Sequence, residues 1–489
     1  MKTIIIGGGL GGLSSAVTLA KHGVDVELFE KNEHFGGKMM DVKQDGYHFD
    51  FGPNTITMPH VFKQIVSQAG LVPEEELPFI QIENHTRNQF EDGTIFDFST
   101  DRSYMKEQFS RLDPKGMALY DEFLTEVHRL YTLSNRHFLN RSFTGYMDYL
   151  SPELFASMAK VRPFESMDHF FKKYFQNSHI IQSLNRYATY TGSNPYTSPA
   201  TFAMIAHLEL GDGVYYLPGG NTKIAESFVK AAKKLGATLH NRTEVVKLIT
   251  DSNRITGVKL SNGQVVEADH VILNGDLLSS LPMLLKDEER PSFSDRIIHK
   301  MDASTSAYVI LAGLNTKIDP LHHHHVVFSK DYKKEFQMLK NQEYSEDPTI
   351  YVCTSSKTDP SISPQGDNCF ILVNAPPLNN NESAPEGYKD LIYSKLKRTG
   401  LPLSDYVAAE RVIDPGEIQS TFRAYRGSIY GPSSNTRLQA FRRPFNKSQD
   451  YSNLYFCGGS THPGGGSPMV VLSGQNVANH ILGKIVSIE

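Results

Sequence analysis

The chain has 489 residues, 39% of them hydrophobic, which is more than one compact core usually holds, so we expect two domains. Its formal net charge is only -5, from 49 basic and 54 acidic residues, which disfavours nucleic acid as a partner. Three cysteines without metal-ligand spacing, and no apolar run of about 18 residues, indicate a cytoplasmic protein without disulfides or a membrane span.

The N-terminal segment predicts a strand–helix–strand unit. In KTIIIGGGLGGLSSAVTLAKHGVDVELFEKN, a β-branched strand leads into a glycine turn, a helix over about residues 11–22 and a strand over 24–29. Gly7, Gly9 and Gly12 fit G-x-G-x-x-G, where the first glycine permits the turn, the second admits a pyrophosphate and the third permits close helix packing. Glu30 stands where the acid that binds a ribose is expected. The unit predicts a bound dinucleotide, with a packing role alone as the open alternative.

A second glycine pair follows this unit. Gly36 and Gly37 precede Lys38, and a short strand then ends in FDFGP, with Gly52 and Pro53. A simple nicotinamide enzyme usually continues into its next strand–helix–strand unit instead, so the pattern favours a flavin. An ordinary turn at the glycine pair is the alternative.

The region before residue 215 is helical in pattern. Asp113 is predicted to cap a helix that has Pro114 at its first position. The apolar positions Leu119, Phe123, Val127 and Leu130 then recur on one face. Ordinary core packing explains this face, and a surface that dips into a bilayer is the alternative. The aromatic segment YMDYLSPELFASMAKVRPFESMDHFFKKYF has the same two interpretations, with Lys172 and Lys173 available to anionic headgroups.

Strands dominate the next regions. Residues 236–276 predict a strand, a hairpin around SNG and a further strand entering VILNG. Later strands are predicted over 306–314, 326–329, 349–355 and 369–374, as an antiparallel sheet. Four histidines, 322–325, precede the second of these, and without an evident third ligand they predict a strand edge near a substrate entrance and no metal site.

The C-terminal segment NLYFCGGSTHPGGGSPMVVLSGQNVANHIL predicts a strand, a glycine-rich loop and a helix over about residues 468–482. Pro468 suits the first turn of this helix. A helix N-terminus directed at a flavin ring stabilises negative charge on the reduced cofactor.

Four motifs together resemble the phytoene desaturase family of carotenoid oxidoreductases. They are FDFGPNTITMP, GVYYLPGGNTKIAESF, YRGSIYG and GGSTHPGGGSPMVVLSGQ, in the same order as in the family and spread over nearly the whole chain. GGGSPMV with LSGQ is most similar to the diapocarotenoid branch, the diaponeurosporene oxygenases. Amine oxidases carry an acidic residue where this chain appears to have Gly459.

The resemblance implies an α/β fold of the amine oxidase and phytoene desaturase type. A Rossmann-like, glutathione-reductase-type FAD domain is expected from residues 1–84, 216–284 and 431–489, interleaved with an α+β substrate and membrane-facing domain from 85–215 and 285–430. FAD is the implied cofactor, and Val245 is expected beside the adenine. The full predicted set of FAD-binding residues is Gly7, Gly9, Gly11, Gly12, Glu30, Gly36, Gly37, Lys38, Gly52, Pro53, Val245, Gly458, Gly459, Gly466 and Met469.

The resemblance further implies allylic hydride transfer from a lipophilic carotenoid to flavin N5, at a peripheral membrane surface, with dioxygen or a quinone as electron acceptor. Oxidation of a terminal methyl group is favoured, and insertion of C=C bonds is the alternative. His462 is a candidate beside the flavin ring and Arg426 beside the substrate, although loop hydrogen bonding and ion pairing explain them as well. An amine oxidase and a prenyl-lipid-binding protein without redox chemistry stay open, and the sequence does not indicate an oligomeric state.

Overall fold

The structure is a computed structural model that describes residues 1–379 and 383–483. Its strands are β1 Lys2–Ile6, β2 Asp25–Phe29, β3 Met40–Gln44, β4 Tyr47–Phe51, β5 Ile80–Ile82, β6 Thr86–Gln89, β7 Ile95–Phe98, β8 Val214–Tyr216, β9 Thr238–His240, β10 Val245–Asp251, β11 Arg254–Leu260, β12 Val265–Glu267, β13 His270–Leu273, β14 Ser306–Leu314, β15 His324–Val327, β16 Ile350–Cys353, β17 Asn368–Ala375, β18 Val407–Ile413 and β19 Leu454–Phe456.

The α-helices are α1 Leu10–Ala20, α2 Pro59–Gln68, α3 Pro73–Glu76, α4 Arg102–Leu112, α5 Pro114–Ser134, α6 Pro152–Lys160, α7 Met167–Phe171, α8 Ser178–Asn185, α9 Ile205–His207, α10 Lys223–Lys234, α11 Leu277–Leu284, α12 Asp295–Ile298, α13 Tyr332–Lys340, α14 Tyr388–Arg398, α15 Pro415–Phe422, α16 Arg437–Phe441 and α17 Ser467–Ile481. Short 3-10 and π segments, such as Arg186–Thr191 and Leu208–Asp212, connect several of them. Among the described residues, none of the helices is both long enough and apolar enough to span a bilayer.

A five-stranded parallel sheet positions the glycine turn of the N-terminal unit. Its order is β19-β13-β1-β2-β9, so strands from the start, the middle and the end of the chain lie side by side. Every residue of α1 is buried, and the helix packs against α17 and α10. Buried parallel strands flanked by helices are the architecture predicted for a dinucleotide-binding unit.

A seven-stranded sheet of order β18-β14-β17-β16-β15-β6-β7 forms the second layer. The predicted strands over 306–314, 326–329, 349–355 and 369–374 correspond to β14–β17, and β14, β17 and β16 pair antiparallel as expected. The sheet is nevertheless mixed, because β15 pairs parallel with β6. The hairpin of β3 and β4 packs its apolar side chains on this sheet, in one cluster with Val309 and Phe370.

The helical region behaves largely as a core. Asp113 caps α5 by accepting a hydrogen bond from Gly116 N at 2.9 Å, as predicted. Phe123, Val127 and Leu130 are fully buried, so this helix face serves packing and not a membrane. Lys172 and Lys173 pair with Asp168 and Glu165 in the same segment.

The prediction for the four histidines was wrong in one respect. The strand that they enter, β15, has β16 on one side and β6 on the other, so it is an inner strand of the sheet and not an edge. The flanking turn signals that mark an edge in the sequence are also typical of a short strand that is inserted between two others.

Candidate active site: a nucleotide cavity and an adjoining substrate cavity

The glycine turn places the N-terminus of α1 at a cavity. Gly9 is the N-cap residue, with extended φ and ψ of -69° and 171°, and no side chain caps the helix there. Gly7, Gly9 and Gly11 line the cavity. Gly12 lies beneath the turn, where a β-carbon would be only 2.2 Å from the carbonyl oxygen of Gly7. The free N–H groups and the dipole of α1 therefore face a space suited to a phosphate.

Glu30 ends β2 at the same cavity. Its carboxylate accepts hydrogen bonds from Gly8 N at 2.7 Å and Asn32 N at 2.8 Å, which fix its orientation. A carboxylate oxygen has further lone pairs beyond these two bonds. Glu30 can therefore accept hydrogen bonds from ribose hydroxyls while it holds the glycine turn.

The second glycine pair lies against the first. Gly36 N donates to Gly8 O at 2.8 Å, and both Gly36 and Gly37 have positive φ, of 118° and 63°. Lys38 is buried, and its Nζ donates to the carbonyl oxygens of Ser428 and Ile429 at 3.0 and 2.9 Å. Burial lowers the pKa of the Lys38 ammonium. This lysine thus ties the nucleotide side of the cavity to the strand-connecting segment before residue 430.

The C-terminal loop brings a second helix N-terminus to the cavity. Gly466 is the N-cap of α17, with a φ of 110°, and this end too has no side-chain cap. Gly458, Gly459 and Gly466 line the cavity. Two uncapped helix N-termini therefore open on one space, an arrangement that stabilises negative charge.

Three side chains that sequence reasoning missed shape this site. Asn274 Nδ2 donates to Gly7 O at 3.0 Å and to Gly9 O at 3.4 Å. Asp276 lines the cavity, and burial raises the pKa of its carboxyl group. Arg443 is buried and donates to the carbonyl oxygens of Tyr430 and Gly459 at 3.1 and 2.6 Å. Neither the VILNG motif nor the segment around residue 443 signalled these contacts.

The cavity has a volume of about 340 Å³ and runs between these elements. Its wall contains all the predicted FAD-binding residues except Gly12, beneath the turn, and Met469, which lines the adjoining cavity. Val245 lies on the wall beside Glu30, in the position expected for the adenine end. Glycine-lined helix ends and a fixed ribose-binding carboxylate match the chemistry of a dinucleotide, so the residues present fit FAD.

A second cavity, of about 240 Å³, adjoins the first. Both cavities share wall residues, namely Gly52, Pro53, Phe370, Leu372, Ile429, Tyr430, Gly465, Gly466 and Ser467. Apolar side chains such as Phe202, Ile205 and Met469 form much of the second wall. A molecule in the second cavity would therefore contact one that occupies the first.

The two candidate catalytic residues lie elsewhere. His462 is buried, its Nε2 is 2.6 Å from the carbonyl oxygen of Phe138, and burial lowers the pKa of its imidazole to about 4. Arg426 donates from Nε to Leu378 O at 2.7 Å. Neither residue is part of the wall of either cavity, so the structure does not bring them to the predicted positions beside flavin and substrate. Both side chains hold loops together.

The histidine run acquires a third potential ligand in space. Ring nitrogens of His323 and His324 and the sulfur of Cys353 lie within 4.8 Å of one another, because His324 and Cys353 are cross-strand partners. The imidazoles also have hydroxyl partners: His323 Nδ1 is 2.6 Å from Thr358 Oγ1 and His324 Nδ1 is 2.8 Å from Tyr351 OH. The statement that the sequence offers no third ligand was therefore wrong, while the absence of a metal stays a prediction.

Comparison with known proteins agrees with this site. Residues 10–482 match the family model described as flavin containing amine oxidoreductase. The chain is 34% identical to a 1-hydroxycarotenoid 3,4-desaturase of Flavobacterium sp. (strain P99-3), over 98% of this chain and 99% of the relative. It is 33% identical to a 4,4'-diapolycopene oxygenase of Methylomonas sp, over 99% and 98%.

Two further matches extend this picture. A 4,4'-diaponeurosporene oxygenase of Staphylococcus haemolyticus (strain JCSC1435) is 30% identical, over 98% of this chain and 97% of the relative. A putrescine oxidase variant is similar in fold, with a TM-score of 0.66 at 14% identity, over 99% of this chain and 98% of that one. The chain is therefore an FAD-dependent oxidoreductase that belongs to the flavin-containing amine oxidoreductase family, among its carotenoid desaturases and oxygenases.

Proposed function

We propose that this carotenoid oxidoreductase oxidises the terminal methyl group of a diapocarotenoid. The observation that carries the proposal is the second cavity, which adjoins the flavin site and combines apolar walls with a buried polar group at Arg186, Tyr190 and Tyr351. The middle of a hydrocarbon chain gains nothing from such a group, because burying unpaired polar atoms against apolar surface is unfavourable. A chain end that gains oxygen is compatible with it.

The protein's part in this reaction is to orient and desolvate the chain end. FAD, when bound, supplies a hydride acceptor for a carbon next to a conjugated double bond. Tyr430 and Phe370, on the wall shared by the two cavities, would hold the chain end against the flavin. Apolar walls exclude water from the reacting carbon, so positioning replaces a strong acid or base.

Desaturation is the second candidate. The relative with 34% identity is a 3,4-desaturase, and the other relatives include both desaturases and oxygenases, so similarity alone favours neither reaction. Both reactions begin with removal of hydrogen from an allylic carbon. They differ in whether oxygen enters or a second hydrogen leaves.

Expression in a host that accumulates diaponeurosporene tests the proposal. We expect pigments that gain oxygen at a chain end, detected by mass spectrometry and absorbance of the extracts. A red shift with loss of hydrogen and no oxygen would assign desaturation instead. Unchanged pigments in this host and in one that supplies diapophytoene, together with a purified protein without flavin absorbance, would contradict both reactions.

We further propose that the protein acts at the cytoplasmic face of a membrane without crossing it. Five exposed apolar side chains, here called the apolar rim, support this: Tyr146, Met147, Leu150, Phe164 and Leu438, each between 57% and 80% exposed. The rim is connected to the second cavity through α16, since Leu438 is on that helix and Ala440 of the same helix lines the cavity.

Charge near the apolar rim suits a lipid surface as well. The guanidinium of Arg437 lies 4.3 Å from the ring centroid of Phe164. Apolar side chains beside cationic ones bind anionic interfaces. A carotenoid could then pass from the bilayer to the cavity, and dioxygen or a quinone from the same surroundings would reoxidise the flavin. The nearly balanced net charge gives no support to nucleic acid as a partner.

A further inference from the structure

Arg186 places a permanent positive charge in the wall of the second cavity. The residue begins the 3-10 segment Arg186–Thr191, is only 7% exposed, and lines the cavity. A guanidinium stays protonated in proteins and has five N–H donors. Such a group in an apolar cavity needs acceptors.

The protein supplies few of them. Arg186 Nη2 is 3.9 Å from Glu209 Oε2, beyond hydrogen-bonding distance, and among the described residues no side chain or backbone oxygen accepts a hydrogen bond from the guanidinium. Nε in particular is fully buried without a partner. Glu209 is itself buried and accepts a hydrogen bond from the hydroxyl of Tyr190. The carboxylate therefore compensates the charge of Arg186 but leaves its donors free.

Other polar groups surround the same part of the cavity. Tyr332 lines it, and its hydroxyl is buried without a partner. Tyr351 lines it too, with its hydroxyl 2.8 Å from His324 Nδ1 and 3.4 Å from Thr55 Oγ1. The charge of Arg186 acts on both tyrosine hydroxyls. One region of an otherwise apolar cavity thus presents unused hydrogen-bond donors.

We propose that Arg186 binds an oxygen atom at the end of the polyene, so that the preferred substrate is a carotenoid whose end group already bears a hydroxyl or carbonyl group. This inference rests on the proposed function, since it assigns a carotenoid to the second cavity. The oxygen accepts hydrogen bonds from Arg186, and the neighbouring tyrosine hydroxyls supply further polar contacts. A plain hydrocarbon end would leave these donors unpaired, and a site of this kind discriminates strongly against a ligand that lacks the oxygen.

Glu209 makes the arrangement compatible with hydride removal. Loss of a hydride leaves positive charge on the polyene, which a lone guanidinium in the same cavity would oppose. The carboxylate of Glu209 beside Arg186 makes the pair neutral overall. Glu209 is thus a positioning residue, and Arg186 is the group that touches the substrate.

A pair of acyclic polyenes that differ only in a terminal hydroxyl group tests this assignment on the purified holoenzyme. The two compounds compete in detergent, and the ratio of their kcat/KM values is measured from the products. Because hydrogen bonds to charged groups are strong, we expect the wild type to favour the hydroxylated polyene by about 10- to 100-fold. In Arg186→Met this ratio should fall close to one, whereas Arg186→Lys, which keeps the charge, should retain part of it.

Arg87→Met is the matched control. Arg87 pairs with Asp97 at 2.9 Å and lines neither cavity, so its replacement should leave the ratio unchanged. A wild-type ratio near one, or an equal loss for both polyenes in Arg186→Met, would overturn the assignment. If Arg186→Met does not retain flavin, the wild-type and Arg186→Lys ratios still decide.

Anaerobic mixing separates this outcome from failure of the proposed function. Each polyene is mixed with the wild-type holoenzyme, and bleaching of the flavin absorbance is followed. Bleaching by both polyenes with equal efficiency leaves the carotenoid oxidoreductase intact and refutes only the oxygen site. Bleaching by neither would refute the use of these polyenes altogether.

Discussion

Gly9→Ala and Gly12→Ala separate a glycine needed for the cofactor from one needed for the fold. Gly9 has φ and ψ of -69° and 171°, which alanine adopts freely, and the new β-carbon would be 3.2 Å from Asn274 Nδ2 and 3.8 Å from Gly37 Cα. At Gly12 the β-carbon would be 2.2 Å from Gly7 O and 2.9 Å from Asn274 Nδ2. The first methyl group projects into a tight but open space, and the second into backbone.

The magnitudes follow from these distances. Without FAD, Gly9→Ala should lower the free energy of unfolding by less than about 1 kcal/mol, because only one side-chain contact is close. Its methyl group should weaken FAD binding by the equivalent of one charge-assisted hydrogen bond, about 1.5–3 kcal/mol or roughly 10- to 150-fold in Kd. Gly12→Ala should destabilise the apoprotein by about 3 kcal/mol or more, since backbone must move.

Two assays check this difference: urea unfolding of the apoprotein and fluorescence titration with FAD. Gly145→Ala is the control, because Gly145 has an extended φ of -175° and its β-carbon would contact only Gln449 Oε1, at 3.6 Å. Wild-type FAD affinity in Gly9→Ala would refute the placement of a pyrophosphate at this turn. Equal destabilisation by Gly9→Ala and Gly12→Ala would refute the division of their roles.

Three further predictions concern the surface, the helical core and the buried histidines. Replacing both Phe164 and Leu438 by Glu should reduce cosedimentation with anionic vesicles at least 10-fold, since each apolar side chain contributes about 1.5–3 kcal/mol; Val265→Glu, at a 54% exposed site on β12, should have no effect, and equal loss in both would contradict the apolar rim. Asp113→Ala should lower the free energy of unfolding by about 2–4 kcal/mol, because Asp113 caps α5 and also accepts hydrogen bonds from Gln176 N and Asn177 N at 2.6 and 2.9 Å; a loss below 1 kcal/mol in urea unfolding would contradict this. Burial lowers the pKa of four imidazoles, so the unfolded chain binds more protons and stability should be complete above about pH 6.5 and fall by up to about 1.4 kcal/mol per pH unit for each histidine as the pH drops from there towards 4; unfolding midpoints that do not change between pH 7 and 5 would refute this, and the four are His85 and His462, with a pKa of about 4, and His323 and His325, with a pKa of about 3.

Elements with local signals could be predicted from the sequence. The glycine turn, α1 and β2 form one continuous unit, and the observed bounds Leu10–Ala20 and Asp25–Phe29 differ from the predicted ones by one or two residues. Asp113 and Pro114 likewise mark the start of α5 by adjacent capping chemistry. These predictions succeed because the determining contacts lie within a few residues of one another.

Contacts between distant segments could not be predicted in this way. Asn274 supports the glycine turn across 267 positions in the sequence, and Arg186 faces Glu209 from a different helical segment. Parallel pairing of β15 with β6 also joins residues far apart, which turned an expected edge into an inner strand. Periodicity and caps carry no information about such partners.

His462 and Arg443 show why a motif does not identify the side chain that faces a site. His462 belongs to the distinctive THPGGG loop, yet its imidazole is directed at the carbonyl oxygen of Phe138 and away from both cavities. Arg443 belongs to no motif, but it lines the second cavity and holds the carbonyl oxygens of Tyr430 and Gly459, both on the flavin cavity. A glycine-rich loop can approach a cofactor only where its own polar side chains turn away, so its backbone must be held from behind by a residue outside the loop. The motif therefore locates the cofactor, and the residues that act on the substrate, Arg186 foremost, are found from the cavity wall.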